Sequence, residues 1–407
     1  MSLRRVRSAG RLWLERLRRG APGLRFEGSG GAPGAPDVLA FHPSAFLGVA
    51  ESTRRAFEHA IPLDASELLL RRDREAVAAA IAAAAPDVVV FSGFVDGYAE
   101  IARRLRSLCP ERSIYVLWHG TPLQLADLEE RRQYDSVLAL AREGVVARIG
   151  CLKTGEAADL SRRGLAAVDV FNPPPDGEPR GVDAKTARRS DQGPLRLGLF
   201  AAGASWRRNP YAQLAAASRV GAAVLSGLLD APARAYARSI GVELGRVRPT
   251  PWPRGELEAL AAAQDCNLYV SLSECSPLFP IESLHWGVPC VIGPTSHLFA
   301  ASPVCVDERS EVSKARVEEA GRLLERRLVV PRPEDPDTIA RYVCEAVDAR
   351  EEILEAYADW QQAYGRAARS SIESLVRPSS PSSPSSPASP ASPASSASSA
   401  SPEAERA

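Results

Sequence analysis

At 407 residues, with 45% hydrophobic and 25% charged side chains, the chain has the size and composition of two ordinary globular domains plus tails. Fifty basic residues balance fifty acidic ones, so there is no global positive field to draw nucleic acid. Seven scattered cysteines, without a Cys-x-x-Cys pair or a Cys/His cluster, argue against a disulfide framework or a zinc site and suit a reducing cytoplasm.

Residues 1–36 read as a basic arm and linker. Eight arginines against Glu15 and Glu27 give residues 1–35 a net charge of +6. Leu3, Val6, Trp13, Leu14 and Leu17 fall near one helical face, with arginines around the rest. Such a helix can lie on an anionic membrane surface through residues 3–19, and a disordered extension or a mis-called start codon is an equal alternative. The arm lacks the apolar stretch and cleavage site of a secretory signal, and no run in the chain approaches the roughly 18 apolar residues of a membrane span. A cytoplasmic protein is expected, with the arm able to hold it at the inner face of the membrane.

From Asp37 short apolar runs alternate with helical segments, the signature of a doubly wound parallel sheet. Strands are expected at Val38–Phe41, Val88–Phe91, Ile114–Leu117, Ser136–Leu140, Arg148–Leu152 and Val168–Phe171, with helices such as Arg74–Ala85 and Tyr98–Leu108 between them. Asn172-Pro-Pro-Pro-Asp-Gly177 breaks the pattern, and the polar run Glu178–Gln192 reads as a linker closing a first unit at 37–192. A second α/β unit at 193–350 follows. Its strands are expected at Leu195–Phe200, Ala222–Leu225, Asn267–Leu272, Val288–Ile292, Val304–Val306 and Leu328–Pro331, and its helices include Pro210–Arg219, Arg254–Gln264 and Pro336–Asp348. A long helix over 351–376 carries Tyr357, Trp360 and Tyr364 at helical spacing, which reads as packing. The Ser-Ser-Pro and Ala-Ser-Pro repeats of 377–407 cannot bury a core, so a disordered tail is expected.

The chemistry concentrates in Ser271-Leu-Ser-Glu274-Cys-Ser-Pro-Leu-Phe-Pro280-Ile-Glu282-Ser-Leu-His-Trp-Gly287-Val-Pro. Pro280 suits the first turn of a helix and Gly287 the position just past its end. Glu274 then stands at the carboxyl end of a strand and Glu282 one turn into the following helix. Between them, at Ser276 and Leu278, lie the N–H groups of a helix start, a seat for phosphate. In the first unit Val116-Leu-Trp118-His119-Gly120-Thr121-Pro122 places His119 in a tight turn after a strand, where open parallel sheets bind ligands. In the second, Phe200-Ala-Ala-Gly203-Ala-Ser-Trp206-Arg207-Arg208-Asn209 offers small residues for close approach and two arginines for a diphosphate. His42, His59, His285 and His297 read as structural. No Asp-x-Asp follows a strand in a metal-binding context, so neither a metal nor a cofactor is expected.

The 274–287 string resembles the E-x7-E signature of retaining GT-B glycosyltransferases of the family 4 type, and His119-Gly-Thr-Pro resembles a turn of the wider GT-B superfamily. The resemblance implies two Rossmann-like lobes facing a cleft, a terminal helix crossing back onto the first lobe, and a nucleotide-diphosphate sugar as donor. It implies that Glu274 and His119 hold the donor sugar, that Glu282 holds the ribose diol, and that Gly203, Arg207 and Arg208 serve the diphosphate. Family members carry Arg-x4-Lys in that loop, whereas Arg207 and Arg208 are adjacent here, so which takes the lysine's role stays open. Arg248 falls where the family meets the nucleobase, and Gly48 and Asp96 stand on the acceptor side. The acceptor implied is a carbohydrate or a lipid-linked sugar of a bacterial surface polysaccharide or glycolipid. A CDP-glycerol-type phosphotransferase, a UDP-sugar epimerase and a non-catalytic partner protein of the same fold remain open alternatives.

Overall fold

Strands that are apolar at every position must be covered on both faces, and that requirement puts the continuous runs of this chain inside parallel sheets flanked by helices. The computed structural model describes residues 37–68, 71–180, 193–200, 205–221, 223–299 and 311–377. The basic arm, Gly203, the strand expected at Val304–Val306 and the Ser/Pro/Ala tail lie outside the described residues.

The first lobe holds β1 (Val38–His42), β2 (His59–Pro62), β3 (Val88–Ser92), β4 (Ser113–Trp118), β5 (Arg148–Cys151) and β6 (Ala167–Asp169) in one sheet of order β2-β1-β3-β4-β5-β6. All its pairs are parallel, and Val88–Ser92 is buried along its whole length. Its helices are α1 (Leu47–Ala56), α2 (Arg71–Ala84), α3 (Tyr98–Leu108), α4 (Leu128–Arg142) and α5 (Glu156–Arg162). The second lobe holds β7 (Leu195–Leu199), β8 (Ala223–Leu228), β9 (Glu243–Arg248), β10 (Cys266–Tyr269) and β11 (Cys290–Ile292), again all parallel, in the order β11-β10-β7-β8-β9. Around it stand α6 (Pro210–Arg219), α7 (Ala231–Ser239), α8 (Arg254–Ala262), α9 (Leu278–His285), α10 (Glu311–Leu328) and α11 (Pro336–Asp348). Strand order reverses between β1 and β3 in one sheet and between β7 and β10 in the other. The crevices beyond the carboxyl ends of those strands are the natural ligand seats of such sheets.

The last helix, α12 (Arg350–Val376), joins the lobes by packing into both. Its first half buries Ile353, Tyr357, Trp360 and Tyr364 in the second-lobe core, with Trp360 and Tyr364 stacked at 4.4 Å between ring centroids. Its end buries Ile372 and Leu375 beside Ala40, Val90 and Tyr115 of the first lobe. Arg148 Nη1 donates to the Leu375 and Arg377 carbonyls at 3.1 and 3.0 Å, answering acceptors that a helix end leaves without partners.

Three local expectations need correcting. Ser136–Leu140 is not a strand but part of α4, where Tyr134, Val137, Leu138 and Leu140 are buried at helical spacing. A short apolar run cannot by itself distinguish the two states; the deciding signal is Asp127, whose side chain accepts from the Glu129 and Glu130 N–H groups and starts the helix. Leu328–Pro331 is the end of α10 followed by a single bridge, Val329 to Ile292. The edge strands β2 and β9 are additions to the expected set, because each is half-exposed or polar and lacks the apolar run of an interior strand.

Among the described residues the six cysteines are all thiols, and no helix is long and apolar enough to cross a membrane. Trp360→Ala empties a fully buried site and is expected to destabilise the fold by about 3–5 kcal/mol. Trp206→Ala, at a site 59% exposed, is expected to stay within about 0.5 kcal/mol of the wild type. Urea unfolding of the two variants measures the contrast.

Candidate functional site

The strand–turn–helix unit around Glu274 is built as its residue types require. Pro277 caps α9 in an extended conformation, and Pro280 occupies its first turn, where no intrahelical acceptor awaits an N–H. Gly287 follows the helix at φ +81°, a left-handed conformation that glycine adopts without strain. Gly293 is fixed by close approach: a Cβ there would lie 2.0 Å from the Ser271 carbonyl oxygen.

Glu274 is buried and pairs with Arg208 from the loop after β7. The same guanidinium donates to the Tyr269 hydroxyl and lies 5.4 Å from the centroid of that ring. Burial raises the Glu274 pKa against the lowering effect of Arg208 and Arg207. Burial also works against the Arg208 charge, but Tyr269 and Glu274 outweigh it and raise that pKa. The two loops are tied by main-chain and amide bonds: Leu272 N–H donates to Arg207 O at 2.7 Å, and Gln213 joins Arg208 O to Val270 N–H at 2.7 and 2.9 Å. Arg207 is half-buried, within electrostatic reach of Glu274 and of Glu130 on α4. Of the two arginines, Arg208 is therefore the one seated against the carboxylate.

Glu282 is 3% exposed, and its Oε1 meets Arg55 from α1 of the first lobe and Arg254 Nη2 at 2.8 Å. Ser276 and Leu278 lie at the start of α9, between the two glutamates. Arg248 ends β9, with its guanidinium 4.9 Å from the Trp252 ring centroid and its Nη2 donating to Thr250 Oγ1 at 2.8 Å.

In the first lobe His119 follows β4, and its Nε2 lies 2.9 Å from Ser92 Oγ at the end of β3. Ser92 Oγ lies 2.7 Å from Thr53 Oγ1, itself 2.7 Å from the Val49 carbonyl. Each hydroxyl has one proton and a carbonyl only accepts. All three contacts are hydrogen bonds at once when His119 Nε2–H donates to Ser92, Ser92 to Thr53, and Thr53 to Val49, which leaves Nδ1 unprotonated. Burial, reinforced by His42, pushes the His119 pKa down to about 3.

The lobes meet at this site. Thr121 Oγ1 and Ser273 Oγ are 2.7 Å apart, which brings the turn of His119 against the residue preceding Glu274. Lys153, after β5, donates to Thr295 O, and Glu274 N–H donates to Thr295 Oγ1 at 3.2 Å. Asn172 accepts from Ser52 and donates to Ser276 O. The acceptor-side candidates stand apart. Gly48 is exposed in the first turn of α1, where a Cβ would meet nothing within 4 Å, and Asp96 pairs at the surface with Arg132 at 2.8 Å. Arg55, Arg254, Lys153 and Tyr269 join the site without any signal in the sequence. Glu51 one turn before Arg55 hints only at a helix-surface pair, and nothing local announces a partner 227 positions away.

Among the described residues no group of three or more His, Cys, Asp or Glu could hold a metal ion. A cavity of about 700 Å³ is lined by Arg55, Pro174, Arg180, Gln361 and Arg369 among others, on the linker and α12 side. Neither Glu274 nor His119 lines it.

No protein-family model matches the chain, and no curated protein matches it in sequence. Solved structures do match. Anabaena HepE in complex with UDP is 12% identical, with 83% of this chain and 97% of that one covered at a TM-score of 0.52. The N-terminal domain of Candida albicans trehalose-6-phosphate phosphatase is 11% identical, covering 86% and 99% at 0.51. Sucrose-phosphate synthase from Thermosynechococcus elongatus is 14% identical, covering 83% and 94% at 0.50. At these identities the likeness is one of fold, and the fold, two parallel α/β lobes, is GT-B.

With a folded-state pKa near 3, His119 stays neutral from pH 5 to 8, so its ring carbon shifts are expected to be flat over that range in NMR. The unfolded chain protonates this histidine near 6.5 and the folded chain does not, so the His119 contribution is full above about pH 6.5 and declines as pH falls towards 3.

Proposed function

We propose that the chain is a glycosyltransferase that moves a sugar from a nucleotide-diphosphate sugar to an acceptor with retention of configuration, in the manner of family 4 enzymes. One observation carries the proposal: Glu274 and Glu282 flank the N-terminus of α9 at the carboxyl edge of the second sheet, with Arg208 delivered beside Glu274 by the neighbouring loop. A helix start and two arginines suit a departing diphosphate, and carboxylates on either side suit sugar and ribose hydroxyls. The fold shared with HepE, whose structure holds UDP, supports a nucleotide ligand.

In this scheme the anomeric C–O bond to the diphosphate breaks, and the acceptor hydroxyl attacks from the same face. The acceptor proton passes to the departing phosphate oxygen, so no enzyme nucleophile is used. Arg208 and Arg207, with the N–H groups around Ser276 and Leu278, stabilise the charge that develops on the diphosphate. Glu274 and neutral His119 hold the sugar from opposite lobes, and Glu282 holds the ribose. The contact of Thr121 with Ser273 closes the junction and excludes water. No metal or cofactor is required.

The acceptor is proposed to be lipid-linked, in the synthesis of a bacterial surface polysaccharide or glycolipid at the inner face of the membrane. Phe46 and Leu47 after β1, Leu123 and Leu128 after β4, and Trp206 after β7 are exposed, all on segments that follow the strand ends carrying the site. The arm of net charge +6 supplies attraction to anionic lipid, about 1 kcal/mol per arginine near the surface.

His119→Ala is expected to slow sugar transfer about a hundredfold with little change in affinity for free nucleotide. Arg208→Ala is expected to weaken a nucleoside diphosphate about tenfold and the monophosphate much less. Equal losses for both nucleotides would place Arg208 outside the phosphate site. The 407-residue chain is expected to sediment with anionic liposomes at low salt and to be released at high salt. Equal sedimentation of a chain starting at Asp37 would leave the arm without a role at the membrane.

A further inference from the structure

Arg55 is a residue of the lobe junction with a demanding environment and no part in the transfer scheme. It lies in the last turn of α1, is 12% exposed, and holds Glu51 Oε1 with Nε at 3.0 Å and Nη2 at 2.9 Å. The same Nη2 reaches across to Glu282 Oε1 in the second lobe. Arg254 contacts that oxygen too, but from a side chain 45% exposed, where solvent screens it. Both ion-pair contacts thus fall on Oε1, and Oε2 receives no hydrogen bond among the described residues.

We propose that Arg55 is a positioning residue for nucleotide binding: it anchors one oxygen of Glu282 so that the other faces the donor ribose, and it does so only while the two lobes are docked. The proposal rests on the glycosyltransferase assignment and adds to it a residue of the opposite lobe. Three physical points support it. A carboxylate 3% exposed needs a partner of opposite charge, because burying it alone costs several kcal/mol, and Arg55, at 12%, is the less exposed of its two partners. The planar fork of a guanidinium can hold Glu51 and Glu282 at once, which a lysine cannot reproduce. Finally, α1 and α9 belong to different lobes, so the bond forms only on docking. Whatever Arg55 contributes to ribose binding is returned, by linkage, as stabilisation of the docked lobes when nucleotide binds.

The test uses a nucleoside diphosphate and its 2′,3′-dideoxy analogue, which lacks the hydroxyls that Glu282 would hold. The base is taken from whichever of UDP, GDP, CDP and ADP raises the wild-type melting temperature most. Calorimetric titration is expected to show the wild type preferring the ribose form, and Arg55→Ala losing about tenfold in affinity for it while changing less than about twofold for the dideoxy form. Arg55→Lys keeps the charge and guards against loss of folding; it is expected to lose affinity in the same selective sense, by a smaller factor. Equal losses on both ligands, or no loss on either, would overturn the role of Arg55 while leaving the nucleotide site standing. A wild type that binds no nucleotide, or does not distinguish the two forms, would instead overturn the ribose assignment of Glu282 and this proposal with it.

Discussion

A buried carboxylate must have its charge answered, and that constraint organises the junction between the lobes. Glu274 and Glu282 sit eight positions apart on one strand–turn–helix unit, 6% and 3% exposed. Neither is neutralised from its own segment. Glu274 takes Arg208 from the loop after β7, and Glu282 takes Arg254 from α8 and Arg55 from the other lobe. Lobe docking, loop placement and the orientation of both carboxylates are therefore parts of one electrostatic arrangement. Removing an arginine is expected to matter more than its exposure suggests, because what remains is an unpaired buried charge.

The parallel sheets explain why this arrangement occurs where it does. Strand order reverses beside β1 and β7, which opens a crevice at the carboxyl edge of each sheet. The turns of those edges carry His119, Lys153, Arg207, Arg208 and Glu274, while α1 and α9 bring Arg55 and Glu282. Helix α12 packs into both cores and fixes the lobes as one body, so side chains more than a hundred residues apart, such as Thr121 and Ser273, meet at hydrogen-bond distance. His119 is held neutral within this junction by burial, which in the proposed transfer scheme suits a hydrogen-bonding role better than that of a proton donor.

Much of this is legible in the sequence, for identifiable reasons. Interior strands such as Val88–Ser92 announce themselves because both faces are apolar, and α9 because Pro280 and Gly287 bracket it. The family resemblance assigns the arginine loop and Glu274 to one donor site, but only the geometry shows Arg208, rather than Arg207, paired with that carboxylate. What stays hidden depends on tertiary context. Ser136–Leu140 has a strand's composition but sits behind a helix cap, and β2 and β9 are edges whose residues carry no burial signal. Arg55 is invisible because its partner lies 227 positions away, and an i,i+4 pair with Glu51 looks like any solvated helix face.

The central claim is that Glu282 belongs to a nucleotide site. Its most direct test is calorimetric titration of UDP, GDP, CDP and ADP into the wild type and into Glu282→Ala. One of the four is expected to bind the wild type and to lose at least about tenfold in affinity with the variant, whose melting temperature stays within a few degrees. Binding of none of the four, or equal affinity for a folded Glu282→Ala protein, would contradict that claim.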